Sequence, residues 1–225
     1  MSEGFRIKQR WERISGDLVA AFRDLPVANV GDCMGRLSAG GTALRPMHRS
    51  GSLAGPALTV RTRPGDNLML HKAIDMAAPG DVIVCDGGGE TTNALMGELM
   101  LARAIARGVA GFVINGAIRD CQAFLERNLP VYACGVTHRG PYRDGPGEIG
   151  FPISLDGMVI APGDLVIGDS DGVLAVPIAS APEVLARTHA KNAAEIKQME
   201  AIRGGTVDRG WVDKVLIEKG CEFIP

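Results

Sequence analysis

The chain reads as an α/β protein, with a strand–helix–strand unit packed against a β-rich half and a helical extension at the C-terminus. Three observations lead there. Residues 81–86 (DVIVCD) and 109–115 (VAGFVIN) are short apolar runs rich in β-branched residues, and the pattern between them is helical. Two strands joined in this way run parallel with a right-handed crossover. Residues 129–177 hold further short runs, LPVYACGV, GFPIS, MVIA and LVIGD, divided by Gly, Pro and Asp turns. From Ala181 to Arg203 the pattern is one long polar helix, with Val184, Leu185, Ile196, Met199 and Ile202 as a thin apolar stripe and Gly204-Gly205 as its stop.

Composition narrows the class. The 225 residues are 46% hydrophobic, enough for a core of one large domain. A net charge of −2 with mixed signs leaves no basic footprint, so nucleic acid is not an expected partner. The first residues, MSEGFRIKQRWERIS, have no apolar signal region, and no run reaches membrane-spanning length. A soluble cytoplasmic protein is expected. Cys33, Cys85, Cys121, Cys134 and Cys221 are odd in number and never spaced as CxxC, which argues against disulfides and a zinc knot.

In order, residues 1–16 form a charged leader, a first helix or an arm, and residues 17–23 a short amphipathic helix. Residues 25–41 suit a second short helix and a glycine-rich loop. Leu53–Arg63 alternates as a strand, with Thr59, Arg61 and Arg63 on one face. Asp66–Ala77 is helical, with Leu68, Leu70, Ile74 and Ala77 apolar, and His71 reads as a packed or subunit-contact histidine rather than a ligand. APGDVIVCD (78–86) and APGDLVIGD (161–169) echo one another as a Pro-Gly turn feeding a strand. Gly87-Gly88-Gly89 fails the dinucleotide fingerprint, since a third glycine is missing at Thr92. Those glycines are expected to allow close ligand approach beside Gly97. Residues 97–107 form a helix with Leu99, Ala102, Ile105 and Ala106 at helical spacing and Gly108 as its C-cap. The loop from His138 to Glu148 could turn two or three charges toward a substrate, although plain loop structure is the default. Asp169-Ser170-Asp171-Gly172 lacks the glutamate that closes a calcium loop, because the twelfth position is Ser180, and reads as a hairpin turn.

The candidate site follows from length. An eleven-residue helix rises roughly 16 Å and a six-residue strand spans about 20 Å. The helix start (Gly97, Glu98, Leu99, Met100) and the strand end (Arg119, Asp120) therefore meet at one edge of the sheet. Free N–H groups and a guanidinium suit an anion, and the two carboxylates suit a divalent ion. The competing reading is an exposed Arg-Asp pair of little energetic worth. Cys121 follows Asp120 but has no histidine nearby in sequence to activate it as a nucleophile.

Gly97-Glu98-Leu99-Met100 with Arg119-Asp120 resembles the site motif of the RraA-like family, which includes class II 4-hydroxy-4-methyl-2-oxoglutarate / 4-carboxy-4-hydroxy-2-oxoadipate aldolases. Glu98 stands where those aldolases usually carry Asp. Residues 64–86, 140–164 and 168–177 resemble the family in the same order. The resemblance implies a phosphohistidine-swivelling-domain-like fold of β/β/α layers, with an N-terminal helical leader at 1–24, a catalytic domain at 25–180 and a C-terminal helical extension at 181–225 at a subunit contact. It implies a homotrimer or homohexamer and a carbon–carbon lyase that releases pyruvate from a 4-hydroxy-2-oxo acid, with oxaloacetate decarboxylation as a side activity. Mg²⁺ or Mn²⁺ would be bound by Asp120, with Glu98 acting through water and Arg119 neutralising the enolate oxygen. The N–H groups of Leu99 and Met100 would take the substrate carboxylate, and a metal-bound water would carry the proton. A glutamate of the C-terminal helix, Glu195 or its competitor Glu200, would reach a neighbour's site.

Three alternatives compete. Relatives regulate ribonuclease activity by protein binding without chemistry. Methyl transfer lacks a cofactor loop in this sequence. A Schiff-base aldolase needs a lysine, yet Lys8, Lys72, Lys191, Lys197, Lys214 and Lys219 all lie away from the proposed site.

Overall fold

The computed structural model describes residues 4–38, 40 and 42–224. Two compact units divide the chain, Met1–Thr188 and His189–Pro225. The first is a mixed α/β unit in which β3 (Leu53–Thr62), β4 (Val82–Met96), β5 (Gly111–Ile118) and β6 (Val131–Val136) lie side by side as parallel neighbours. Their apolar runs are continuous because both faces are covered. Val82 and Val84 join one core cluster and Ile83 and Cys85 the other. Helices α3 (Leu68–Met76), α4 (Glu98–Ala106) and α5 (Cys121–Arg127) supply the second cluster. The opposite face is covered by α1 (Gly16–Phe22), α2 (Val27–Cys33), the hairpin β8 (Ile153–Leu155) and β9 (Met158–Ile160), and the hairpin β10 (Leu165–Asp169) and β11 (Gly172–Val176).

The leader departs from the helical expectation. Phe5–Ile7 is a strand, β1, parallel to β7 (Gly147–Ile149), and β7 lies antiparallel on β3. Strand geometry suits this charged stretch because Glu148 is buried and accepts from Arg6 at 2.7 Å, with Arg61 on its other oxygen. The two-residue β2 (Arg45–Pro46) closes the far edge beside β6.

The echoed segments build the same turn. Asp81 accepts from Ala78 N at 2.9 Å and Asp164 from Ala161 N at 2.8 Å. Gly80 and Gly163 both adopt φ +88, where glycine carries no Cβ penalty. The strands that leave these turns flank β3, one parallel and one antiparallel. Ser170-Asp171 is a hairpin turn, with Asp169 opposite Gly172, and Asp169 Oδ2 accepts from Val27 N at the start of α2.

Helix α4 turns a different face inward from the one its spacing suggests. Met100, Leu101 and Ala104 are buried, whereas Leu99 is 85% exposed and Ile105 and Ala106 face out. The helix is apolar on both sides, so spacing alone could not choose, and the core beside α3 takes the methionine face. In the second unit, the part of α6 (Ala181–Arg203) beyond Thr188 leaves Ile196, Met199 and Ile202 about half exposed, and α7 (Gly210–Glu218) carries an exposed Trp211. No helix among the described residues is long and apolar enough to cross a membrane.

Candidate functional site

Strand β4 runs past Asp86 and leaves its ladder. While β4 advances from Asp86 to Met96, β5 advances only from Asn115 to Ile118. Gly88 and Gly89, at φ +71 and +70, permit the excursion. Asp86 fixes its start by accepting from Gly88 N, and Glu90 fixes its end by accepting from the N–H groups of Thr92 and Asn93. These glycines do not approach the Gly97 site as expected. They line another cleft with Asn115, Cys134 and Leu155, because the excursion carries them away from the helix start.

At the end of the excursion Met96 O accepts from Arg119 N at 2.9 Å, which pins the end of β5 to the start of α4. Asp120 Oδ2 then accepts from Glu98 N at 2.9 Å, and Arg119 Nε lies 3.7 Å from the same oxygen. Gly97 makes room for this contact. A Cβ there would stand 2.5 Å from Asp120 Oδ2 and 3.1 Å from Arg119 Nε, so any other residue would push the pair apart. Asp120 adopts φ 61, a left-handed conformation that costs a non-glycine residue roughly 1 kcal/mol and is found where surroundings enforce it. Its side chain is 44% exposed and that of Arg119 38%.

The pair opens on a cleft of about 70 Å³ lined by Gly97, Leu99, Met100, Arg119 and Asp120 together with Asn67, His71, Pro141 and Arg143. The first turn of α4 contributes the N–H groups of Leu99 and Met100, which have no partner within the helix. Gly97, Glu98, Leu99, Met100, Arg119 and Asp120 are thus brought together. Glu98 projects outward and its carboxylate lies 3.8 Å from Arg127 Nη2. Glu195 belongs to the second unit, where it pairs with Lys191 at 2.7 Å.

Three lining residues were not identified by sequence reasoning. His71, read as a packing residue, is half-buried on the cleft wall, and burial, then Arg143, lowers its pKa, with Asp75 opposing and Arg103 adding to the fall. Asn67 is buried, donates from Nδ2 to Leu95 O at 2.9 Å, and leaves Oδ1 without a hydrogen bond. A polar residue at the head of an otherwise apolar helix was the available signal. Arg143 comes from the loop after His138, one of the charges that could face a substrate.

Cys121 is unsuited to nucleophilic attack, since burial and then Asp120 push its thiol up. Burial likewise raises Cys85 and Cys134, consistent with packing residues. Among the described residues no group of three or more His, Cys, Asp or Glu side chains is placed so that it could hold a metal ion by itself. The carboxylate that lines the cleft is that of Asp120, and a hard ion such as Mg²⁺ is commonly held by one or two carboxylates plus waters and substrate oxygens. The residues present fit such an ion.

The Aldolase/RraA model of the RraA-like family matches residues 27–175. A Halalkalibacterium halodurans protein provisionally named a 4-hydroxy-4-methyl-2-oxoglutarate aldolase is 36% identical over 201 residues, 89% of this chain and 96% of that one. Among solved structures, an uncharacterized Pseudomonas syringae protein superposes with a TM-score of 0.78 at 27% identity, covering 88% of this chain and 97% of its own. Streptomyces coelicolor RraAS2, described as an unusual member of the RNase ES inhibitor RraA protein family, gives 0.74 at 26%, covering 86% and 98%. The family match covers well over half of the chain and includes the whole Gly97–Asp120 unit, so the chain belongs to the RraA-like family.

Proposed function

We propose that this protein is a lyase that cleaves a 4-hydroxy-2-oxo acid to pyruvate, with decarboxylation of oxaloacetate at the same site. The observation that carries the reading is the convergence of Arg119, Asp120 and the free N–H groups of Leu99 and Met100 on one small cleft. The provisional name of the H. halodurans relative supports it. A cleft of about 70 Å³ suits a short acid; pockets for drug-sized or cofactor-sized ligands run from about 300 Å³ upward.

The N–H groups of Leu99 and Met100 hold the substrate carboxylate at the positive end of α4. Arg119 lies beside Gly97 and Gly140 and directs its guanidinium at the 2-oxo oxygen. As the C4 hydroxyl gives its proton to a water in the cleft, the C3–C4 bond breaks and C4 becomes a carbonyl. The electron pair passes through C3 to the 2-oxo oxygen as enolate, which a fixed guanidinium stabilises without reorganising until the water returns the proton to C3 and pyruvate leaves. Decarboxylation yields the same enolate, so one site serves both reactions. Mg²⁺ or Mn²⁺ held by Asp120, with Glu98 nearby, would supply Lewis-acid stabilisation of the same charge. Arg143 lines the same cleft as Arg119 and suits a second carboxylate on the substrate. A swivelling-domain-like layering and assembly as a homotrimer or homohexamer, with Glu195 of a neighbouring copy completing the site, belong to the same proposal.

The test is pyruvate release from oxaloacetate and from 4-hydroxy-4-methyl-2-oxoglutarate with Mg²⁺, with and without chelator. Turnover that chelator abolishes and Mg²⁺ restores supports the reading. Full turnover in chelator refutes the metal, and no turnover at all favours a role in protein binding. Dissociating and remixing inactive Arg119→Ala and Glu195→Ala proteins tests the assembly. Recovered activity supports a shared site, and none in proven mixed oligomers removes Glu195 from it.

A further inference from the structure

Asp66 lies outside the Arg119–Asp120 machinery and does not line the cleft, yet it is a fully buried carboxylate, 0% exposed. A carboxylate loses its hydration when buried and persists only where fixed donors replace that water. Four donors do so here. Oδ1 accepts from Leu68 N at 3.0 Å, the first residue of α3. Oδ2 accepts from Asp144 N at 2.7 Å, Gly145 N at 3.0 Å and Arg63 Nη2 at 3.1 Å.

The origin of those donors matters more than their number. Asp144 and Gly145 directly follow Arg143, and Leu68 begins the helix that carries His71 one turn later. One side chain therefore joins the two elements that bring His71 and Arg143 to the cleft. Backbone bonds reinforce the join: Tyr142 N donates to Gly65 O at 2.8 Å and Asn67 N donates to Tyr142 O at 3.0 Å. The near end of the loop is tied separately to the β4 excursion. Asn93 Nδ2 donates to Gly140 O at 2.6 Å and Ala94 N to Arg139 O at 2.9 Å. Arg143 thus sits between two anchored points, while its guanidinium has no ion-pair partner among the described residues.

We infer that Asp66 is a positioning residue that sets Arg143 over the cleft by clamping the 142–145 loop to the start of α3. The inference rests on the proposed reading of the cleft as a substrate site. Asparagine at this position keeps the shape but replaces one acceptor with an NH₂ group facing N–H donors, so the loop end is released.

Two measurements test this with the full-length protein. In native-state proteolysis, trypsin should cut after Arg139 or Arg143 at least tenfold faster in Asp66→Asn than in wild type, with fragments identified by mass. In steady-state kinetics on oxaloacetate with Mg²⁺, Asp66→Asn should raise KM about tenfold and change kcat less than threefold. Arg143→Ala should raise KM by itself, and adding Asp66→Asn to it should raise KM no further, because the clamp acts through Arg143. A purely structural Asp66 would add its full cost in that background, and this result would overturn the inference. Unchanged protease sensitivity in Asp66→Asn would also overturn it. Should Asp66→Asn fail to fold, Arg63→Ala removes one donor from the partly exposed side of the clamp and should move both readouts the same way by a smaller factor; no movement overturns the clamp. Absence of turnover in wild type refutes the functional reading alone, and the proteolysis arm then decides the clamp.

Discussion

At the turn that starts β4, Asp81 is 1% exposed and its carboxylate is occupied by Ala78 N–H and by the guanidinium of Arg13. At the opposite end of the same pair of strands, Asp120 is nearly half exposed, sits in a left-handed conformation, and has one oxygen tied to Glu98 N–H. Both aspartates adjoin strand ends in apolar surroundings, and both accept a backbone hydrogen bond. They differ in what is left over. Asp81 spends its acceptors on holding a turn and has nothing to offer a ligand. Asp120 is held against its backbone preference and keeps an accessible carboxylate beside an arginine. The arrangement of donors, more than residue type, separates a carboxylate spent on a turn from one left accessible.

The largest effect should come from breaking the second member of that pair. Asp120→Asn should lower turnover by more than a hundredfold while the midpoint of thermal unfolding shifts by no more than a few degrees, because the side chain is exposed. A variant that loses activity and unfolds together would make Asp120 a second Asp81. Arg119→Lys keeps the charge but loses the planar fork. It should cost on the order of a hundredfold in kcat, about 3 kcal/mol, the typical loss for one preorganised donor to an oxyanion. An unchanged kcat would assign Arg119 to the surface.

The elements that could be read in the sequence were those whose local chemistry had one solution. The Pro-Gly-Asp turns, the hairpin at Asp169–Gly172, the long helix from Ala181 and its Gly204-Gly205 stop fall into that group. So does the meeting of Gly97 with Asp120, since strand and helix lengths alone return the chain to that edge. What could not be read depends on tertiary choice. The inward face of α4 was ambiguous because the helix is apolar all round, and only packing against α3 selected Met100 and Leu101 over Leu99. The β4 excursion was hidden because Gly87-Gly88-Gly89 carries no indication of where its chain goes. The rest of the cleft lining was missed because Arg143 is more than seventy residues from Asn67 and His71 in sequence, and Asp66, which joins their elements, is fully buried.

A smaller effect would sharpen the structural side of the comparison. Burial raises the pKa of Asp81 above 3.8, against the opposing pull of Ala78 N–H and Arg13, and it raises Asp164 in the same way. A carboxyl whose folded pKa exceeds its unfolded one binds more protons when folded. Its contribution to stability is therefore full below the unfolded pKa and is lost as pH rises through the folded value. Asp81→Asn should cost about 1–3 kcal/mol through the weakened turn. In urea titrations run upward from about pH 4, wild type's advantage over this variant should shrink as pH rises. An advantage that grows with pH would mean that the Arg13 pairing outweighs burial. Turnover should be unchanged, since the turn lies at the other end of the strands.

The smallest expected effect concerns the cleft that Arg119 lines. His71 has its pKa lowered, first by burial and next by the charge of Arg143. Its folded value lies below the usual 6.5, so the stability gained by keeping the imidazole neutral is full above the unfolded value and is lost as pH falls through the folded one. Arg143→Ala removes the second cause and leaves the first. The His71 midpoint, followed by NMR of the imidazole protons, should move upward yet stay below its ordinary value. A fixed midpoint would place Arg143 away from the cleft and leave its wall apolar. A rise to the full ordinary value would mean that charge, rather than burial, holds His71 down. If the midpoint moves as expected, the charge of Arg143 reaches His71 in the cleft that Arg119 also lines.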